Sequence, residues 1–313
     1  MADNKKDLHC DMIYKGDKPF KRSARTKQSL FREKMLKVGY DPTNKYGQYG
    51  AFLLPGDADE GKNFYEGFRT EILDRIKHRY HTMSTERHDG LYADMLRSEH
   101  IPWDIFVPMD LDRDAAAKVF NAIIGDTVVD EITRIEIEWA PDKTKCLNDK
   151  TSFDTYVEYL SKGRKCGIGI EVKYTEEGYP IGIKEKREVE DEDSRYAIIT
   201  KTSGIFTKII TNMPLRETEL PHDEYRQIWR NHILGGSMVM NKMLDCFHSI
   251  TLFPSGNPHF ADVLPKYRQF LSEYGNASFG YITFEELFDL LEVNYKGDKF
   301  QKWVEYLKER YPF

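Results

Sequence analysis

The chain of 313 residues carries 46 basic and 52 acidic side chains, a net charge of −6, with 40% hydrophobic and 13% aromatic residues. This excludes a disordered or fibrous chain, and the length allows one large or two small domains that fold without a disulfide or metal. No run of about 18 apolar residues occurs, which excludes a membrane-spanning helix, and the N-terminal MADNKKDLHCDMIYKGDK lacks the apolar centre of a secretory signal.

The first 50 residues are polar, basic and dotted with Gly and Tyr. Between Lys15 and Lys37 nine basic residues face only Asp17 and Glu33, a local net charge of +7 that leaves −13 for the remainder. A basic arm on an acidic body can contact phosphate, or it can be a solvated or partner-docking segment. A short helix is expected near Lys27–Val38. Over 62–80, Phe64, Phe68, Ile72 and Ile76 recur at helical spacing. Asp89 can cap a helix running to about His100, with Pro102 as its stop, and a short helix follows near Asp112–Ile124. His78 and His81 lie three apart, and without a third ligand they read as ordinary helix residues.

The segment 132-ITRIEIEWA-140 alternates, as a half-buried strand does. Glu136 and Glu138 share its polar face, and both roles, site residue or solvated surface, stay open. Two further strands, 153–160 and 167–175, flank a hairpin turn at 161-SKGRK-165 that places a Gly in a strained position. Asp154 opens the first of them. Glu171 and Lys173 share a face of the second with Gly167 and Gly169, and glycines there allow close approach of a ligand or another backbone. The charged run KEKREVEDEDS is expected to be a mobile loop. A core helix over 226–240 follows, in which Gly235 and Gly236 permit close packing on a sheet; the sequence around His232 reads as a packing feature of it. A fourth strand begins at Cys246, and helices are expected over Ala261–Tyr274, Thr283–Leu291 and Lys299–Tyr311.

The cysteines, Cys10, Cys146, Cys166 and Cys246, form no C-x-x-C pair and show no zinc spacing. As isolated thiols they suit a reducing interior, so a cytoplasmic location is expected.

A hairpin puts the start of one strand beside the end of the next, so Asp154 can face Glu171 or Lys173. Two close carboxylates repel unless a cation lies between them, and oxygen donors that leave room for water suit Mg²⁺ or Mn²⁺. Such an ion with a neighbouring lysine suits phosphodiester hydrolysis.

The pattern D-x16-E-x-K within an αβββαβ order resembles the PD-(D/E)xK nuclease superfamily, with its restriction-endonuclease-like fold. The blocks 94-DMLRSEHIPWDIFVPM-109, 135-IEIEWAP-141, 152-SFDTYVEY-159, 167-GIGIEVKYTE-176 and 225-YRQIWRNHIL-234 are similar to a bacterial group within it. The resemblance covers roughly Asp89 to Phe253. It implies an α/β fold, a restriction-endonuclease-like αβββαβ core with a mixed sheet and helical N- and C-terminal additions. It implies Asp154 and Glu171 as metal ligands, Lys173 as the catalytic lysine, Glu99 as the acid of the first core helix and Gln227 as the glutamine after the third strand. Phe153 stands where the strict motif has Pro. The expected domains are a basic arm over 1–50, a nuclease core over 51–260 and a helical addition over 261–313 packed on the core. The implied function is a metal-dependent nuclease acting on nucleic acid, DNA foremost, with no membrane partner; assembly with a second copy stays open. The alternative is a catalytically silent relative that binds nucleic acid or protein.

Overall fold

The computed structural model describes residues 12–44, 47–125, 128–178 and 180–311. Cys10 and the rest of the first eleven residues lie outside them. In chain order the longer elements are α1 (Pro19–Phe31), α2 (Arg69–Arg79), α3 (Ile101–Asp110), α4 (Arg113–Ile124), β1 (Glu131–Trp139), β2 (Phe153–Ser161), β3 (Arg164–Val172), α5 (Ile183–Glu190), α6 (Arg195–Thr202), α7 (Arg226–Met240), β4 (Cys246–Phe253), α8 (Pro258–Arg268), β5 (Phe279–Thr283), α9 (Phe284–Asn294) and α10 (Asp298–Arg310).

These gather into two compact units. The first comprises Met1–Pro108, Tyr174–Glu176 and Tyr295–Phe313, and the second Met109–Lys173 with Glu177–Asn294. The three-part division expected from the sequence differs: α10 belongs with the N-terminal elements, while α8, β5 and α9 belong with the sheet.

In the first unit the basic N-terminal segment is built into the packing. Helix α1 buries Ala24, Arg25, Gln28, Ser29 and Phe31. Arg25 pairs with Asp17 at 2.6 Å, Arg32 donates to the Gly50 carbonyl at 2.8 Å, and Gln28 donates to the Arg310 carbonyl at 3.0 Å. Arg310 is buried against Asp104 at 3.2 Å. Where one helix from Asp89 was expected, short turns run from Thr85 to His100, and α3 begins at Ile101 with Pro102 as its second residue. A proline needs no amide hydrogen in the first helical turn, so Pro102 starts a helix here rather than stopping one.

The second unit is built on a mixed five-stranded sheet of order β1-β2-β3-β4-β5. β1 to β3 form an antiparallel meander, and β4 and β5 run parallel to β3 in turn. The hairpin between β2 and β3 turns on Lys162 and Gly163, with φ of 50° and 75°, the pair of left-handed residues that a tight two-residue hairpin needs. β3 is central: from Cys166 to Val172 every residue is buried. The parallel step from β3 to β4 requires a crossover, and α5, α6 and α7 supply it. β5 was not foreseen.

Helix α7 lies on β3 and β4. A Cβ on Gly235 would come within 1.9 Å of the Phe247 ring, so only glycine lets the helix sit so close. Gly167 and Gly169 are explained in the same way. Cβ atoms there would meet Leu244 at 2.7 Å and Phe153 at 2.5 Å respectively. Their open faces are filled by core side chains, not by a ligand.

The charged run expected as a loop contains α5, with Val189 buried. Lys, Glu and Arg are strong helix formers, and one apolar anchor docks the turn. Cys166 and Cys246 stand opposite each other on β3 and β4, their Cα atoms 4.8 Å apart, and are joined by a disulfide. The reading of these two as isolated thiols is therefore corrected; Cys146 is free and buried. Among the described residues no helix is long and apolar enough to cross a membrane.

Candidate active site

The strand registers set a row of carboxylates. Ile137 faces Thr155 and Trp139 faces Phe153, which puts Glu138 beside Asp154. Thr155 faces Ile170, which puts Asp154 beside Glu171. Glu138, Asp154 and Glu171 therefore stand on three neighbouring strands at one end of the sheet and line one polar cleft of about 220 Å³ with Lys150, Gln227, Arg230 and Asn231.

Each side chain is held. Asp154 Oδ2 accepts from the Val172 amide at 2.7 Å. Glu171 and Lys173 are 7% and 4% exposed, and the Lys173 ammonium donates to Glu171 Oε1 and to Gln227 Oε1 at 2.8 Å. Asn231, one helical turn beyond Gln227 on α7, donates its amide to the other Glu171 oxygen. Ser152 Oγ lies 3.4 Å from Glu138 Oε2. Arg230 is bridged to Asp149 at 3.2 Å and to Glu185 at 3.0 Å.

Burial, and then the Glu171 charge, push the Asp154 carboxyl well above the usual carboxylate range. Lys173 opposes the shift, Glu138 adds to it, and the Val172 amide opposes it weakly. A half-buried acid crowded by like charge is an electrostatic cost that a cation beside it would relieve. Among the described residues no three His, Cys, Asp or Glu side chains converge tightly enough to cage an ion unaided. Two hard carboxylates suit Mg²⁺ or Mn²⁺, which keep several waters and take one or two protein carboxylates. The donor set at Asp154 and Glu171 fits such an ion.

Of the expected site residues, Asp154, Glu171 and Gln227 line this cleft, and Lys173 is bonded to two of them, Glu171 and Gln227. Glu99 belongs to the first unit and sits on a short 3₁₀ turn, Ser98–His100, not on a helix. There its Oε2 is buried without a hydrogen-bond partner, and burial raises its carboxyl above the usual range against the pull of Arg97. His81 lies beyond the end of α2, so it shares no helix face with His78. Glu136 is exposed while Glu138 lines the cleft, which resolves the choice between them. His232 is a packing residue, bonded to Tyr267 at 3.2 Å and Ser278 at 3.0 Å. Its neighbour Asn231 was overlooked as part of the same packing feature. The signal was present: Asn231 lies four residues after Gln227, which puts both on one helix face.

A family model described as the PD-(D/E)XK nuclease superfamily matches residues 15–313. No curated protein and no solved structure matches the chain.

Proposed function

We propose that this chain, which belongs to the PD-(D/E)XK nuclease superfamily, is a metal-dependent nuclease that hydrolyses phosphodiester bonds of DNA. The observation that carries the reading is the meeting of Asp154 and Glu171 in one cleft at the end of β2 and β3, with the Lys173 ammonium bonded to Glu171. Asp154 and Glu171 would hold Mg²⁺ or Mn²⁺. Such an ion, when bound, lowers the pKa of a bound water and offsets charge on a phosphoryl oxygen.

The protein's own groups do the rest. Lys173, fixed by Glu171 and Gln227, holds its ammonium against the Glu171 carboxylate, where it would orient the attacking water and stabilise negative charge developing on the phosphoryl oxygens. Gln227 keeps that ammonium from swinging away, and Asn231 fixes the plane of the Glu171 carboxylate. Lys150 gives the cleft a cationic group for a flanking phosphate. DNA as the substrate is part of this proposal.

The test is to incubate purified protein with single-stranded, duplex and branched DNA and with RNA, each with Mg²⁺, Mn²⁺ or chelator. Metal-dependent cleavage that Asp154→Asn abolishes supports the reading. If no substrate is cut, and calorimetry finds no divalent binding that depends on Asp154, the chain is a silent relative that binds nucleic acid or protein.

A further inference from the structure

We infer that Arg230 is a positioning residue for the loop between β1 and β2, which it holds so that Lys150 meets a backbone phosphate of the substrate. The inference rests on the proposed nuclease reading. Residues 140–152 join the two strands without a helix or strand of their own. A loop of that length is usually either free to move or put to use. This one is pinned to the crossover helices. Its Cys146 and Leu147 are buried in the core. From α6, Arg195 donates to the Cys146 carbonyl at 2.7 Å and to that of Thr144. Just past α7, Asn241 donates to the Lys145 carbonyl at 2.9 Å.

The end of the loop that enters the cleft is gathered on Asp149. Its Oδ1 accepts from the Thr151 amide at 2.8 Å. Its Oδ2 accepts from the Thr151 hydroxyl at 2.8 Å, from the Tyr196 hydroxyl and from Arg230 at 3.2 Å. Arg230 also donates to the Thr151 hydroxyl and pairs with Glu185 of α5 at 3.0 Å. It therefore ties both chain neighbours of Lys150 to α7, with its own charge engaged by two carboxylates. Lys150 differs. It lines the cleft, is exposed, and has no hydrogen bond or ion pair among the described residues. An ammonium on a long side chain adds most to binding when its backbone is already placed, because ordering the loop on binding would offset the gain. The latch on either side of Lys150 supplies that placement.

The experiment measures kcat and KM for cleavage of labelled branched DNA and of RNA in Mn²⁺, with Mn²⁺ affinity by calorimetry. It compares the wild type, Lys150→Ala, Arg230→Gln and the double variant. Lys150→Ala should raise KM about 10-fold, as loss of one charge-assisted hydrogen bond does, and reduce the salt dependence of KM by about one counterion. The effect should fall on KM more than on kcat, with Mn²⁺ affinity kept. Arg230→Gln should reproduce that rise in KM. The double variant should be no worse than Lys150→Ala, because both changes act on one contact. Tyr196→Phe removes only the hydroxyl that reaches Asp149 and keeps its ring against Trp229. It should raise KM in the same non-additive way, and it decides the matter if Arg230→Gln fails to fold. If the KM effects multiply in the double variant, or Arg230→Gln loses kcat and Mn²⁺ affinity instead, the positioning role is overturned and the nuclease reading stands. An unchanged KM in Lys150→Ala overturns the phosphate contact. If the wild type cuts neither DNA nor RNA, the nuclease reading falls and the inference with it.

Discussion

Asn231 and Glu171 are joined across the interface between helix and sheet: the Asn231 amide donates to Glu171 Oε2, and both side chains are buried. Because Lys173 takes the other oxygen, the carboxylate is held at both ends. Asn231→Ala leaves a buried charged oxygen without its donor, which costs about 1–3 kcal/mol. Urea unfolding of the metal-free protein should show that loss. Calorimetry should show weaker Mn²⁺ binding as well, which a purely structural role would not produce.

Lys173→Ala should separate chemistry from binding. Lysine is not an oxygen donor to the ion, so Mn²⁺ binding should persist. Turnover should fall about 10²–10⁴-fold, the usual contribution of such an electrostatic or proton-handling group. Single-turnover cleavage beside a calorimetric titration checks both halves. A lysine variant with full activity would remove Lys173 from the mechanism.

The two glycines of α7 should respond differently to alanine. At Gly235 the new methyl meets the Phe247 ring, whereas at Gly236 it meets the tip of Ile205 at 2.6 Å. A ring packed under a helix yields less than a flexible methyl, so Gly235→Ala should destabilise the protein by about 1–3 kcal/mol and Gly236→Ala by less. Chemical denaturation midpoints test the order.

His232 should make the protein sensitive to acid. Burial, reinforced by nearby His248, lowers its pKa from the ordinary 6.5 to about 3. The folded state thus refuses a proton that the unfolded chain accepts. Its stabilising contribution is complete above pH 6.5 and is lost as pH falls toward 3, by up to about 1.4 kcal/mol per pH unit. Unfolding free energies measured at pH 7 and pH 5 should differ more for the wild type than for His232→Gln.

The basic N-terminal segment should divide into two classes. Arg25 and Arg32 are buried, at 3% and 0% exposure, so alanine at either should lower the unfolding temperature. Lys15, Lys18, Arg22, Lys34 and Lys37 are exposed. Neutralising these five should leave stability nearly unchanged but weaken DNA binding and flatten its salt dependence, because fewer counterions are released. Filter binding across a salt series distinguishes the two classes, and an unchanged slope would dismiss the exposed residues as phosphate contacts.

Local pattern by itself determined the meander, the crossover helix and the nearness of Asp154 to Glu171. Alternation marked β1 to β3, the Lys162-Gly163 turn fixed how β2 meets β3, and that pairing alone brings Asp154 to Glu171. Only the tertiary structure decided the rest, because the deciding contacts join residues far apart in sequence. Cys166 meets Cys246 across 80 residues, and Gln28 bonds Arg310 across 282, which draws α1 and α10 into one unit. Glu138 and Glu136 are indistinguishable by period; the register sets Glu138 beside Asp154 at the strand's end and Glu136 opposite Tyr156. Gly167 and Gly169 read as access for a ligand, but Phe153 and Leu244 pack over them, and no strand pattern shows what fills the space above a glycine. Asn231 joined the site because Gly235 lets α7 approach the sheet closely enough for an amide to reach Glu171.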